Sequence, residues 1–145
     1  MNVTEFAEQI VFGNTLEDKL VAPGRLTRDG DVRNRPDVRS LVSPGRPVGL
    51  QMRHDLISTG SPPSDDQLEN ERARGQLLHF LANHELLATE LMALVLLKFP
   101  EAPHAFRQGI LVTLQEEQEH TQMYIKRMRE CGVECGAYPL GGRFW

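Results

Sequence analysis

The feature that most constrains the fold is a proline-marked break between two long stretches of helical periodicity. Residues 100 to 103 read Pro-Glu-Ala-Pro, and a proline inside a helix removes a backbone donor and clashes with the preceding turn. Before the break, Leu78, Leu81, Glu85, Ala88, Met92 and Val95 recur at helical spacing, and after it Phe106, Ile110, Thr113, Glu117, His120 and Tyr124 do the same. Two helices joined by so short a loop lie antiparallel, so the expected fold is all-α with a helical hairpin as its body. Ser64 opens a capping box with Gln67, and Asp65 and Asp66 suit a first turn. The first helix is therefore expected from Ser64 to Phe99, with a bend near Gly75. From Leu77 onward it is apolar on most faces, the pattern of a helix inside a bundle or an oligomer interface. The second is expected to begin at Pro103 and to end at Cys131, before Gly132.

The hairpin brings chemistry together. With Glu101 as the centre of the turn, Glu85 lies sixteen residues before it and Glu117 sixteen after it, which puts the two carboxylates at one level. His120 follows Glu117 by one turn on the same stripe. A buried carboxylate without a partner costs several kcal/mol or takes up a proton, so two that face each other call for a cation or for shared protons. One Glu from a helix and Glu-x-x-His from its neighbour make half of the carboxylate-bridged di-metal site of four-helix bundles. Its oxygen and nitrogen donors suit iron or manganese. Glu85, Glu117 and His120 are thus the candidate metal ligands. The bland alternative is chance occurrence of Glu-x-x-His in a Glu-rich helix, with the three residues forming a protonated polar cluster. Glu90 lies only eleven residues before Glu101 and misses the level. Glu116 and Glu119 read as solvated or as supporting neighbours of the ligands, His79 and His84 as surface or core histidines, and Tyr124 as a core residue or a redox-active or hydrogen-bonding neighbour of the site.

The first twenty residues read as short helices with Asn2 and Thr15 as N-caps, stopped at Pro23 and Gly24. From there to Pro63 the chain is rich in Arg, Pro, Gly and Asp without a sustained period, as expected of an extended arm. Val21, Leu41, Val42, Val48, Leu50 and Leu56 indicate that the arm wraps over a helical body. Its arginines read as solvated, neutralised locally by Asp29, Asp31 and Asp37. The organisation is therefore short helices and arm over 1–63, then hairpin and C-terminal loop over 64–145. The net charge of −4, with twelve acidic against eight basic residues over 63–145, argues against nucleic acid as a partner. The apolar run from Leu91 to Leu97 is far shorter than the roughly 20 residues of a membrane span, so a cytoplasmic protein without membrane contact is expected. Cys131 and Cys135 are the only cysteines and read as reduced thiols, because no second pair completes a zinc site.

Three segments carry a resemblance: His84-Glu-Leu-Leu-Ala-Thr-Glu-Leu91, Glu117-Gln-Glu-His120, and Gly136-Ala-Tyr-Pro-Leu-Gly-Gly-Arg-Phe-Trp145. With them the chain resembles the ferritin-like proteins of the family of unknown function 455, related to ferritins, rubrerythrins and ferritin-fold tRNA hydroxylases. The resemblance implies Glu85 and Glu117 as ligands or bridges and His120 as a terminal ligand, in iron-dependent activation of oxygen or peroxide. Two departures stand out. Gly141 replaces the His that family members commonly carry two residues after the tail proline. The family also continues into a second helix pair with another Glu and another acidic-x-x-His, whereas this sequence stops at Trp145. The expectation is a half-site for two iron or manganese ions, completed in a homodimer about a two-fold axis or by a missing second hairpin. The alternative function is a non-catalytic helical interaction or dimerisation module with a degenerate site.

Overall fold

Asn2 begins the first helix as a reciprocal cap: its side chain accepts from the Glu5 N–H at 2.8 Å while the Glu5 carboxylate accepts from the Asn2 N–H at 2.8 Å. Helix α1 (Val3–Phe12) buries Phe6, Ala7, Ile10 and Val11 on one face. Thr15 caps the single turn α2 (Leu16–Lys19), with its hydroxyl accepting from the Asp18 N–H. Two long helices follow, α3 (Glu71–Lys98) and α4 (His104–Glu130). This computed structural model describes residues 1–27, 37–39, 41, 43–53, 62–142 and 145. Among the described residues there are helices and two isolated bridges but no strand, so the chain is all-α.

The long helices pair antiparallel. Ala82 of α3 meets Ile125 and Met128 of α4 at one end, and at the other the Arg107 guanidinium donates to the Leu96 carbonyl at 2.8 Å. Their boundaries differ from expectation in one instructive place. The capping box at Ser64 forms, but it opens only a 3-10 turn, Asp65–Glu69. Asn70 then starts α3 as a fresh N-cap, accepting from the Arg72 N–H at 2.8 Å in extended backbone geometry. Two cap signals stand close together here, and the second governs the long helix. α3 runs through Gly75 without a break; the glycine serves close approach, because a Cβ there would lie 2.5 Å from Val133 Cγ2. Pro103 is the N-cap of α4 and not its first helical residue, while Gly132 ends it at φ +76°.

Two apolar clusters hold the body. Near the hairpin turn, α1 places Phe6 and Ile10 against Ala93, Leu96 and Leu97 of α3 and Leu111 and Leu114 of α4. At the open end Ala82, Ile125, Met128 and Val133 pack with Leu16, Leu20, Tyr124 and Tyr138. The arm contributes Val38 and Leu50 to the buried set, and Leu41 packs beside it. Val48, expected to help anchor the arm, is instead 96% exposed beside Gly49, which turns the chain at φ +91°. Val42, Leu56, Asp29 and Asp31 lie outside the described residues. The arm also meets the tail, where the Arg53 N–H donates to the Leu140 carbonyl at 2.8 Å.

Between the clusters lies a buried ion network. Glu90 is fully buried, and the Arg46 guanidinium grips it through Nε to Oε1 at 2.9 Å and Nη2 to Oε2 at 2.7 Å. Nη1 of Arg46 donates to Asn83 Oδ1 at 2.9 Å and to the Leu50 carbonyl at 3.2 Å. Lys19 Nζ, also buried, lies 3.3 Å from Glu90 Oε1 and donates to the Ile10 carbonyl. Burial lowers the Lys19 pKa below its usual value, with Glu90 acting in the opposite sense. From α4, the Gln118 amide donates to the Lys19 and Val21 carbonyls at 2.9 and 3.0 Å. Arg46 thus corrects the expectation that the arm's arginines are solvated; the exposed Asp37–Arg39 pair at 2.9 Å fits it.

Candidate metal centre

Glu85 sits midway along α3 and Glu117 midway along α4, so the antiparallel pairing sets them across from each other. Glu85, Glu117 and His120 each offer one ligand atom, and these atoms all lie within 4.8 Å of one another. His120 Nδ1 is 3.4 Å from Glu117 Oε2 and 3.8 Å from Glu85 Oε2. The two carboxylates are about one-fifth exposed, at 23% and 20%, whereas His120 is 51% exposed. The group therefore lies at the rim of the helix interface and opens toward solvent.

Electrostatics make this rim unusual. Burial first, then the hydrogen bond and charge of Glu117, push the Glu85 carboxyl up to about 7, with His120 pulling the other way. A proton held on Glu85 relieves its repulsion with Glu117, the role that a cation would take. Two carboxylates and one imidazole, converging without a Lys or Arg among them, are a donor set that fits a divalent first-row metal. All three sequence-derived ligands are thus brought together.

Glu90 is not part of the group. It points to the opposite side of α3, into the network of Lys19 and Arg46. The network lies behind the site: Asn83 and Gln118, close neighbours of Glu85 and Glu117 in sequence, face away from it, Asn83 toward Arg46 of the arm and Gln118 toward the Lys19 and Val21 carbonyls at the end of α2. Sequence reasoning also passed over a pair of hydroxyls. Thr89 donates to the Glu85 carbonyl at 2.9 Å and Thr121 to the Glu117 carbonyl at 2.7 Å, and both threonines are fully buried. The signal was present as Glu-x-x-x-Thr in each helix, four residues being the spacing at which a helical hydroxyl reaches back to a carbonyl.

His79 is buried, and its Nε2 accepts from the Gly136 N–H at 3.1 Å, so burial lowers its pKa and its role is to hold the tail. His84 lies against Phe80 with ring centroids 4.3 Å apart. Tyr124 packs with the cluster at the open end. Cys131 and Cys135 are free thiols, and burial raises the Cys135 pKa, as suits an unreactive thiol.

No curated protein and no solved structure matches the chain. A family model does: residues 7–145 match the family described as protein of unknown function, DUF455. That match takes in both long helices, the site and the tail, and the chain therefore belongs to the DUF455 family.

Proposed function

We propose that this protein binds iron or manganese at Glu85, Glu117 and His120, and that its helical hairpin is one half of a ferritin-like four-helix bundle. The observation that carries the reading is the convergence of the three donor atoms within 4.8 Å on a face that nothing in the chain closes among the described residues. In this reading Glu85 and Glu117 would hold the ions and neutralise their charge, and His120 would add a nitrogen donor. A bound pair of such ions supplies redox chemistry toward oxygen or peroxide, which makes an oxidoreductase the matching activity. Three donors leave either ion short of ligands, so a second half-site, from another copy or from a second hairpin, belongs to the proposal.

The test is direct. Purified protein loaded anaerobically with Fe(II) or Mn(II) and desalted is expected to retain metal by elemental analysis, and Glu117→Ala to weaken retention at least about tenfold. Absence of metal in the loaded wild type, or equal retention in the variant, would sink the reading. It would leave the non-catalytic interaction module, which the half-buried apolar stripe of α3 independently favours.

A further inference from the structure

The C-terminal tail is pinned at two posts and latched between them. At one post Val133 is buried against Gly75 of α3. At the other the Leu140 carbonyl accepts from the Arg53 N–H and the Gly141 carbonyl from the Asn83 amide. Among the described residues, two hydrogen-bonded ties join the stretch 134–139 to the long helices. One is the Arg129–Glu134 pair at 3.1 Å, with both side chains more than half exposed, an arrangement that contributes little. The other is the 3.1 Å bond in which the Gly136 N–H donates to His79 Nε2. His79 is only 4% exposed, so this second tie is the one that holds.

A ring nitrogen that accepts from an N–H carries no proton, so the latched imidazole is neutral and keeps its proton on Nδ1. A second proton would set one donor against another. No carboxylate is placed to offset that loss among the residues that line the cavity beside His79, which include Leu16, Leu50, Ala82, Ile125 and Met128. The turn contributes the Cys135 thiol and the Tyr138 ring, which meets His79 edge-on at 5.4 Å. From α3, Arg72 lies 6.0 Å from the centre of the Tyr138 ring and would repel an imidazolium. Arg46 stands behind Asn83, already matched by Glu90. The turn's own carboxylate, Glu134, is engaged by Arg129 at the surface.

We propose that His79 is a proton-operated latch: its neutral imidazole holds the turn 134–139 against α3, and protonation releases that turn while Val133 and Leu140 stay docked. The latch is independent of metal binding. Its direction follows from linkage. With the turn open, His79 takes up a proton at the ordinary imidazole value of ~6.5, whereas with the turn closed burial lowers its pKa. Closure is therefore at full strength above the ordinary value and weakens as pH falls below it, by up to about tenfold per unit. Release uncovers the Cys135 thiol and the apolar cavity of about 20 Å³ that it lines. It also parts the tail from the arm at Gly136, where a Cβ would lie 2.6 Å from the Gly49 carbonyl oxygen. Acid thus changes what this end of the hairpin presents without unfolding its core.

Amide hydrogen exchange on the full chain, followed by NMR, reads the latch at Gly136 itself. In wild type the Gly136 protection factor is expected to fall at least about fivefold between pH ~7 and pH ~5, while core amides of α3 such as Leu96 keep theirs. His79→Gln places a carbonyl oxygen near the position of Nε2 that accepts but takes up no proton, and its Gly136 protection is expected to stay level over the same range. Wild-type protection that does not change with pH overturns the proposal. So does an equal fall in both proteins, or an equal fall at Leu96. The wild-type imidazole gives a check that needs no variant: its NMR titration is expected to show the Nδ1–H tautomer and a midpoint below ~6.5. A midpoint at or above that value overturns the latch.

Discussion

Glu85 is the residue on which the site's chemistry turns. Its carboxyl is raised from 4.5 to about 7 in the fold, so the metal-free protein binds that proton more tightly folded than unfolded. The resulting stabilisation is complete below the unfolded value and is lost as pH rises through the folded one. In chelator, Glu85→Gln is therefore expected to melt at the same temperature as wild type near pH ~4 and above it near pH ~8. Parallel melting curves across that range would show that Glu85 carries no such burden. The ligand trio was legible in the sequence because level in a hairpin is a matter of counting from the turn. Depth was not legible: Glu85 and Glu90 both sit among leucines, and only the packing of α1 and the arm onto one side of α3 makes Glu90 a core residue and leaves Glu85 at the rim.

At the scale of elements, α3 is fixed by a polar start and a close contact near it. Asn70 caps it, and one turn later Gly75 admits Val133, whose Cγ2 would lie 2.5 Å from a Cβ there, closer than a Cβ tolerates, with Cys131 tight beside it. Gly75→Ala is expected to lower stability despite the better helix propensity of alanine. Overpacking a filled site costs about 1–3 kcal/mol, more than the ~1 kcal/mol alanine gains in a helix. Urea unfolding of the two proteins measures the difference, and a stabilised variant would show that Val133, only 1% exposed, yields without cost. Caps at Asn2 and Thr15 were legible because the side chains that make them act within three residues. The 3-10 turn before α3 was not, since Ser64 and Asn70 offer competing starts and the chain's change of direction between them is set by tertiary packing.

Over the whole molecule, Glu90 ties three distant segments into one body. Lys19 from α2 and Arg46 from the arm both bear on it, and Asn83 relays Arg46 to the tail through the Gly141 carbonyl at 2.9 Å. Glu90→Gln leaves two buried cations facing a neutral amide, and the expected loss is about 3–5 kcal/mol, read from chemical unfolding with α1 and the hairpin followed separately. A loss below about 1 kcal/mol, as for an exposed pair, would show that water reaches the cluster. The sequence announced an arm with wrapping residues, but the partners of Arg46 are dozens of positions away, and no local pattern names them. The same clamp has a consequence for the site on the other side of the hairpin. Asn83 is held by Arg46 of the arm and Gln118 by the carbonyls at the end of α2, at the helical turns where Glu85 and Glu117 face outward, so the conformational entropy of ordering those turns is lost during folding. A cation that arrives there needs to restrain little more than the side chains that touch it.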